Sequence, residues 1–279
     1  MTSRLDGATF SDVPSENVPT SIDSGSIGRT SPDRRTRKRE ARRDHLLDLA
    51  AELVAADGIE GLTMAALAEA SDYATASLYT YFPSRSALLA ALQTRALATL
   101  GGVAADAVAD WDARVAGAGL SAAAGGLARL WAFGELFLAA PDDHPHEFRL
   151  QQRLLVTDGG QDTDDIAAVV PAAMAVLAVP RQLLVDAVSV GALQPAPEVL
   201  DPLDQPADGD LVRTISWVVA LNGALLTDGL VMGLPTTGTV LGRELTAALL
   251  LGWGADPDDL TVARAAATSW RDARPGATP

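Results

Sequence analysis

The three tyrosines of this chain, Tyr73, Tyr79 and Tyr81, fall within nine residues, beside Phe82, although aromatic residues make up only 5% of the sequence. A phenol joins an apolar ring to one hydroxyl that can meet an anion or a buried partner. Tyr79 and Tyr81 lie two apart, so on a helix they cannot share a face. One can pack while the other meets a ligand, and either could contact a phosphate. Leu78 and Phe82 read as core residues.

A basic run comes shortly before this cluster. Residues 29–43 hold eight Lys or Arg, against Asp33 and Glu40. Residues 101–279 hold ten arginines against twenty-three carboxylates, and the whole chain carries a formal net charge of −15. A basic arm on an acidic body suggests two jobs. The acidic part repels phosphate, so any nucleic-acid contact falls to the N-terminal part.

Other candidate chemistry is thin. His144-Pro145-His146 stands beside Asp142 and Asp143, residue types that ligate metals. The intervening proline prevents a helical histidine pair, so the stretch reads as a loop before a helix. Asp162, Asp164 and Asp165 look like another helix start. The glycine-rich pieces lack phosphate-loop spacing and follow no strand. No nucleophile–base pair or paired carboxylate site emerges, so neither an enzyme nor a cofactor is expected. With no cysteine in the chain, disulfides, thiol catalysis and thiolate metal sites are excluded.

The elements that must position these residues read as helices throughout. Alanine is abundant, β-branched runs are short, and 48% hydrophobic residues suffice for a sizeable core. Residues 1–33 have the composition of a disordered tail. A helix is expected over about 36–56, with Leu46, Leu49, Ala50, Leu53 and Val54 at helical spacing and Asp57-Gly58 as its stop. Thr63 stands as N-cap of a two-turn helix over 64–70. A break at 71–74, a short helix over 75–81 and a Pro83-Ser84 interruption follow, with Ser84 capping a long helix. Further helices are expected over 85–115, 121–140, 145–157, 164–191, 209–233, 239–253 and 257–273. Gly101-Gly102, Gly117–Gly119, Pro141–Asp143, Asp158–Gly160, Pro195–Pro197 and Pro235 mark the joints, and Asp256-Pro257 opens the last helix. Pro171 and Pro180 should kink or split the helix that holds them.

Two short helices joined by a four-residue turn after a longer one make a helix-turn-helix pattern. The tract GLTMAALAEASDYATASLYTYFPSRSALL, residues 61–89, resembles the tetracycline-repressor (TetR) family of transcriptional regulators. The carrying residues are Leu49-Ala50, Val54, Gly58, Gly61-Leu62-Thr63, Leu67-Ala68, Ala70, Leu78-Tyr79, Tyr81-Phe82, Ser84 and Leu88. The resemblance covers about residues 40–90. It implies an all-α protein: a tail over 1–33, a DNA-binding domain over 34–84, and a helical ligand-binding and dimerisation domain over 85–279.

It also implies a role for each matching position. Thr63 would bind a phosphate, Thr75, Ala76 and Ser77 would face base edges, and Tyr79 and Tyr81 would set hydroxyls on the backbone. Arg85, in place of the family's usual lysine, would pair with a phosphate. Arg34, Arg35, Arg37 and Lys38 would follow the backbone or the minor groove. Three departures bear on base reading. Asp72 replaces the turn glycine, Ala74 replaces the serine cap and leaves Thr75 to cap instead, and Tyr73 replaces a valine.

In the second domain the resemblance implies a small-molecule cage and dimerisation by the last long helices. The expected dimer face lies on 209–233 and 239–253 (Ile215, Val218, Val219, Leu221, Leu225, Leu226, Leu230; Leu241, Leu245, Leu249, Leu250). Trp131, Phe137, Met174, Trp217 and Asn222 are the pocket candidates, and a hydrophobic effector is expected. Ile215–Leu234 is the best membrane-spanning stretch, but Asn222, Asp228 and three glycines favour a buried or subunit-contacting helix. A soluble cytoplasmic repressor of a palindromic operator is the reading. A ligand- or protein-binding adaptor that has lost operator recognition is the alternative, and a helical enzyme a distant third.

Overall fold

The computed structural model describes residues 34–153, 163–200, 206–229 and 236–272. The expected tail over 1–33, the ends of the helices expected over 145–157 and 209–233, Asp162, Leu230 and the joints at 158–160 and Pro235 lie outside the described residues. The chain divides into two units, Met1–Ala41 and Arg42–Pro279. In the first, residues 34–41 are helical and exposed.

The helices are α1 (Arg34–Gly61), α2 (Met64–Ser71), α3 (Thr75–Leu78), α4 (Arg85–Gly117), α5 (Ala122–Asp143), α6 (Pro145–Gln152), α7 (Thr163–Ser189), α8 (Gly209–Leu226), α9 (Gly238–Gly252) and α10 (Pro257–Asp272). A 3₁₀ turn, Thr227–Gly229, follows α8. One two-residue antiparallel pairing, Val199–Leu200 with Pro206–Ala207, departs from the all-helical expectation without altering the class.

The caps follow the side chains that can make them. The hydroxyls of Thr63, Ser84, Ser121 and Thr237 and the Asp208 carboxylate accept backbone N–H bonds at the starts of α2, α4, α5, α9 and α8. Each satisfies a donor that the first helical turn leaves unpaired. Asp256 does the same for α10, accepting from Asp258 and Asp259. Gly58 breaks the path of α1 at φ 73°, a left-handed conformation that glycine enters without cost, and a last turn continues to Gly61.

Two expectations about breaks are corrected. Gly101-Gly102 lies inside α4 and Pro141 lies inside α5, while α7, expected to kink or split at Pro171 and Pro180, is one unsplit helix. Burial of an apolar face against neighbouring helices outweighs the local cost of a glycine or proline. Thr75 does not cap either. Ala74 occupies the cap position with no side-chain bond, and α3 spans only four residues before the chain tightens into turns at Thr80 and Tyr81.

Two main apolar cores form within Arg42–Pro279. The first gathers Leu46, Val54, Leu67, Leu78 and Phe82 with Leu88, Leu89 and Leu92 of α4 and Leu150 of α6. Residue 84 therefore separates helices, while the core continues across it. The second core is built around α5, whose Leu127, Leu130 and Trp131 pack with Leu184, Trp217, Leu250 and Trp270. Gly134 of α5 brings Thr246 and Trp217 close enough that an added Cβ would already touch both. Glu135, 8% exposed, receives a two-pronged bond from Arg243 at 2.6 and 2.7 Å and a third from Arg271 at 3.0 Å. That clamp ties α5 to α9 and α10, and the hydrogen-bonded carboxylate raises the Arg243 guanidinium above its ordinary pKa.

Among the described residues, two helices are long and apolar enough to cross a membrane, α4 and the Ala167–Ser189 part of α7. They pack against each other. The stretch singled out from the sequence is divided instead, because α8 ends at Leu226.

Candidate nucleic-acid interface and effector cavity

The helix-turn-helix is built from the core outward. Leu67 and Leu78 are fully buried and Phe82 nearly so, which fixes how α2 and α3 sit on α1 and α4. Asp72 makes the turn between them at φ 55°, and Tyr73 N–H donates to Ala68 O at 3.1 Å to close the end of α2. Aspartate therefore holds the left-handed position the resemblance assigns to glycine.

With the apolar side pinned, Thr75, Ala76, Ser77, Tyr79 and Thr80 are left exposed together, and Thr63 is exposed at the start of α2. Tyr79 is 50% exposed, whereas Tyr73 and Tyr81 lean partly buried on the core. The tyrosine cluster is thus split: two phenols pack and one stands out. Arg43 lies over the Phe82 ring, 5.1 Å from its centroid. Its place in the basic run was the only signal of that cation–π contact.

Arg85 is engaged within the fold. Its Nε donates to Leu62 O at 2.5 Å and its Nη2 to Ile59 O at 2.7 Å, with Glu60 at 3.9 Å. The guanidinium therefore closes the C-terminal end of α1, where carbonyls lack helical partners. Nothing in the spacing of the sequence marks that role, because it joins residues more than twenty positions apart.

In the helical domain α4, α5, α6, α7 and α8 line a partly open cavity of about 180 Å³. Phe133, Phe137 and Phe148 form an aromatic wall, with Phe137 and Phe148 edge to face at 5.6 Å. The polar lining residues are Asp143, His144 and Gln151. Of the five pocket candidates read from the sequence, Phe137 alone lines it. Trp131 is buried in the α5 core under Arg264, Trp217 donates Nε1–H to Thr246 Oγ1 at 3.1 Å, and Asn222 donates to Val218 O at 2.9 Å. Met174 is 45% exposed. Size and polarity mark these four, but the faces of their helices carry them elsewhere. The spacing of Phe133 and Phe137, one turn apart, was the legible signal.

Among the described residues, no group of His, Cys, Asp or Glu is arranged to hold a metal ion. His144 closes α5 and precedes Pro145, the first residue of α6.

The outer side of α8 exposes Val212, Ile215, Val219 and Leu226, and α9 exposes Val240, Leu245 and Leu251. The expected dimer face is corrected in part: Leu221 and Leu250 turn into their own core, with Leu225 and Leu249 packed against it, and Val218 is buried on the cavity wall. Ile215 and Val219 both belong to the exposed stripe and line the cavity.

The sequence model described as "Bacterial regulatory proteins, tetR family" matches residues 46–92, the span that carries this helix-turn-helix. Residues 46–92 thus carry a DNA-binding domain of the TetR family type. That match supports a DNA-binding transcriptional regulator and points to a non-enzymatic one. Solved structures of similar fold include RolR in complex with resorcinol, 21% identical, covering 87% of this chain and 98% of RolR with a TM-score of 0.51. A Rhodococcus sp. RHA1 protein of unknown function is 19% identical, covering 76% of this chain and 94% of that one with a TM-score of 0.51. A TetR-family transcriptional regulator from Agrobacterium tumefaciens is 16% identical, covering 78% of this chain and all of its own at a TM-score of 0.49. Among curated proteins, none matches the chain.

Proposed function

We propose that this TetR-family regulator is a cytoplasmic repressor whose hold on a palindromic operator is released by a hydrophobic small molecule. The observation that carries the reading is the position of α6. Its Phe148 and Gln151 line the cavity, while Leu150 belongs to the helix-turn-helix core and Arg153, just beyond it, bonds Glu60 of α1 at 3.2 Å. One short helix is thus a wall of the cavity and a support of the DNA-binding core. A molecule that prefers a shifted α6 lowers operator affinity by the same factor by which the operator lowers its own binding. RolR, of the same fold, is seen with resorcinol, which supports the cavity as the effector site.

In this reading residues 34–84 bind DNA, residues 85–279 sense and dimerise, and residues 1–33 are a tail. Thr75, Ala76 and Ser77 face base edges, Thr63 and Tyr79 hold phosphates, and Arg34, Arg35, Arg37 and Lys38 follow the backbone or minor groove. Tyr81 and Arg85 act mainly by positioning. Two copies pair through the exposed stripes of α8 and α9, so the half-sites lie about 34–36 Å apart, one helical turn of DNA.

A mobility-shift titration on the DNA upstream of the protein's own coding sequence tests this. Specific binding that weakens with salt and exceeds binding to random sequence is expected. Equal affinity for random DNA favours the adaptor reading.

A further inference from the structure

We propose that the effector is a single-ring molecule carrying a hydroxyl group and no anionic group. This rests on the cavity being the effector site and narrows what that site accepts. At about 180 Å³ the cavity is near the ~150 Å³ apolar cavity that stays dry and binds benzene, and below the roughly 300–1,000 Å³ of sites for drug-sized ligands. A ring suits that volume, whereas a long acyl chain exceeds it and must leave through the open side past Ile215 and Val219.

The wall chooses a ring over other compact shapes. Phe133 and Phe137 lie 6.4 Å apart and tilted by 43°, and Phe148 meets Phe137 at 80°. These faces and edges suit an aromatic ligand in offset or edge-on contact.

The polar groups set the substituent. Gln151 lines the cavity, and its Oε1 is buried without a hydrogen-bond partner. An unpaired buried amide is costly, and a ligand hydroxyl, able to donate and accept, satisfies it in either orientation of its O and N. A carboxylate ligand meets the Asp143 carboxylate and, with no lysine or arginine among the lining residues, only the His144 imidazole as a partner, so burying its charge opposes binding.

The test is calorimetric titration of the full-length protein with benzyl alcohol, toluene, benzylamine, benzoate and decanoate. Benzyl alcohol should bind about tenfold more tightly than toluene, the difference one hydrogen bond makes, and more tightly than the other three. In Gln151→Leu, which keeps the volume, the advantage of the alcohol over toluene should vanish. Should that variant not fold, the wild-type ranking decides alone. Tighter binding of benzylamine, benzoate or decanoate, no binding of benzyl alcohol, or an alcohol advantage that survives Gln151→Leu overturns the proposal. Release of DNA is read separately. Benzyl alcohol that binds but leaves the DNA complex intact upholds this ligand class and overturns effector release. Decanoate that releases DNA while benzyl alcohol does not bind upholds effector release and overturns this class.

Discussion

Replacing Arg85 by methionine separates two physical roles that one guanidinium cannot fill equally. Its Nε and Nη2 lie 2.5 and 2.7 Å from Leu62 O and Ile59 O, and Glu60 is 3.9 Å away. Hydrogen bonds from a charged donor are worth about 1.5–3 kcal/mol each in stability. The Arg85 side chain is 39% exposed, so water recovers part of that loss, and about 1–3 kcal/mol remains for the pair. Methionine keeps the stem and the packing but loses both bonds. Urea unfolding should therefore show a lower midpoint at unchanged slope. Arg85→Lys should recover less than half, because a point charge cannot meet two carbonyls in a fixed fork. The salt dependence of operator binding measured on the same variants supplies the other arm. If Arg85 acts through the end of α1, the slope of log affinity against log salt stays within about 0.3 of wild type. A phosphate contact would reduce it by about 0.9. Unchanged stability together with a reduced slope would refute the capping argument and return Arg85 to the DNA.

The remaining predictions concern separate parts of the molecule. Tyr79→Phe should weaken specific and non-specific DNA binding alike by about two- to tenfold, the worth of one hydrogen bond, while Tyr81→Phe changes either by less than twofold; the reverse order in a mobility-shift assay would exchange their roles. Sedimentation at micromolar concentration should find wild-type protein dimeric and the Leu226→Glu, Leu245→Glu double variant monomeric, and a monomeric wild type sinks the α8–α9 pairing. Glu135→Gln removes the charge between Arg243 and Arg271, whose side chains are 33% and 42% exposed. A loss of about 1–3 kcal/mol in urea unfolding is expected, less than for a fully buried pair because both guanidiniums can hydrate; a change under about 0.5 kcal/mol would make the clamp incidental.

Much of the fold was legible because it is specified locally. Thr63, Ser84 and Asp256-Pro257 announced helix starts through groups that bond backbone N–H two or three residues on, and Gly58 announced a break through a backbone angle. Leu78 and Phe82 were legible as core because helical spacing sets them on the side facing Leu46 and Leu88. The misreadings share one cause. Gly101-Gly102 and Pro141 are breakers locally, yet helices pass through them, since packing on neighbouring helices supplies more than the local preference removes.

Four of the five pocket candidates lie outside the lining of this cavity for a related reason. Trp131, Trp217 and Asn222 were chosen for size or polarity, but which face of α5 or α8 looks into a cavity depends on helices from distant parts of the chain. By itself, the sequence determined the helical class, the helix-turn-helix with its family, and the charge division between a basic start and an acidic body. These follow from residue type and spacings within a few turns. Only the tertiary structure decided that Tyr79 stands out while Tyr81 packs, that Arg85 closes α1, and that Phe148 and Gln151 of α6 share a wall with Phe137 while Leu150 supports the DNA-binding core. Each joins residues brought together only by packing between helices, and no local spacing encodes that.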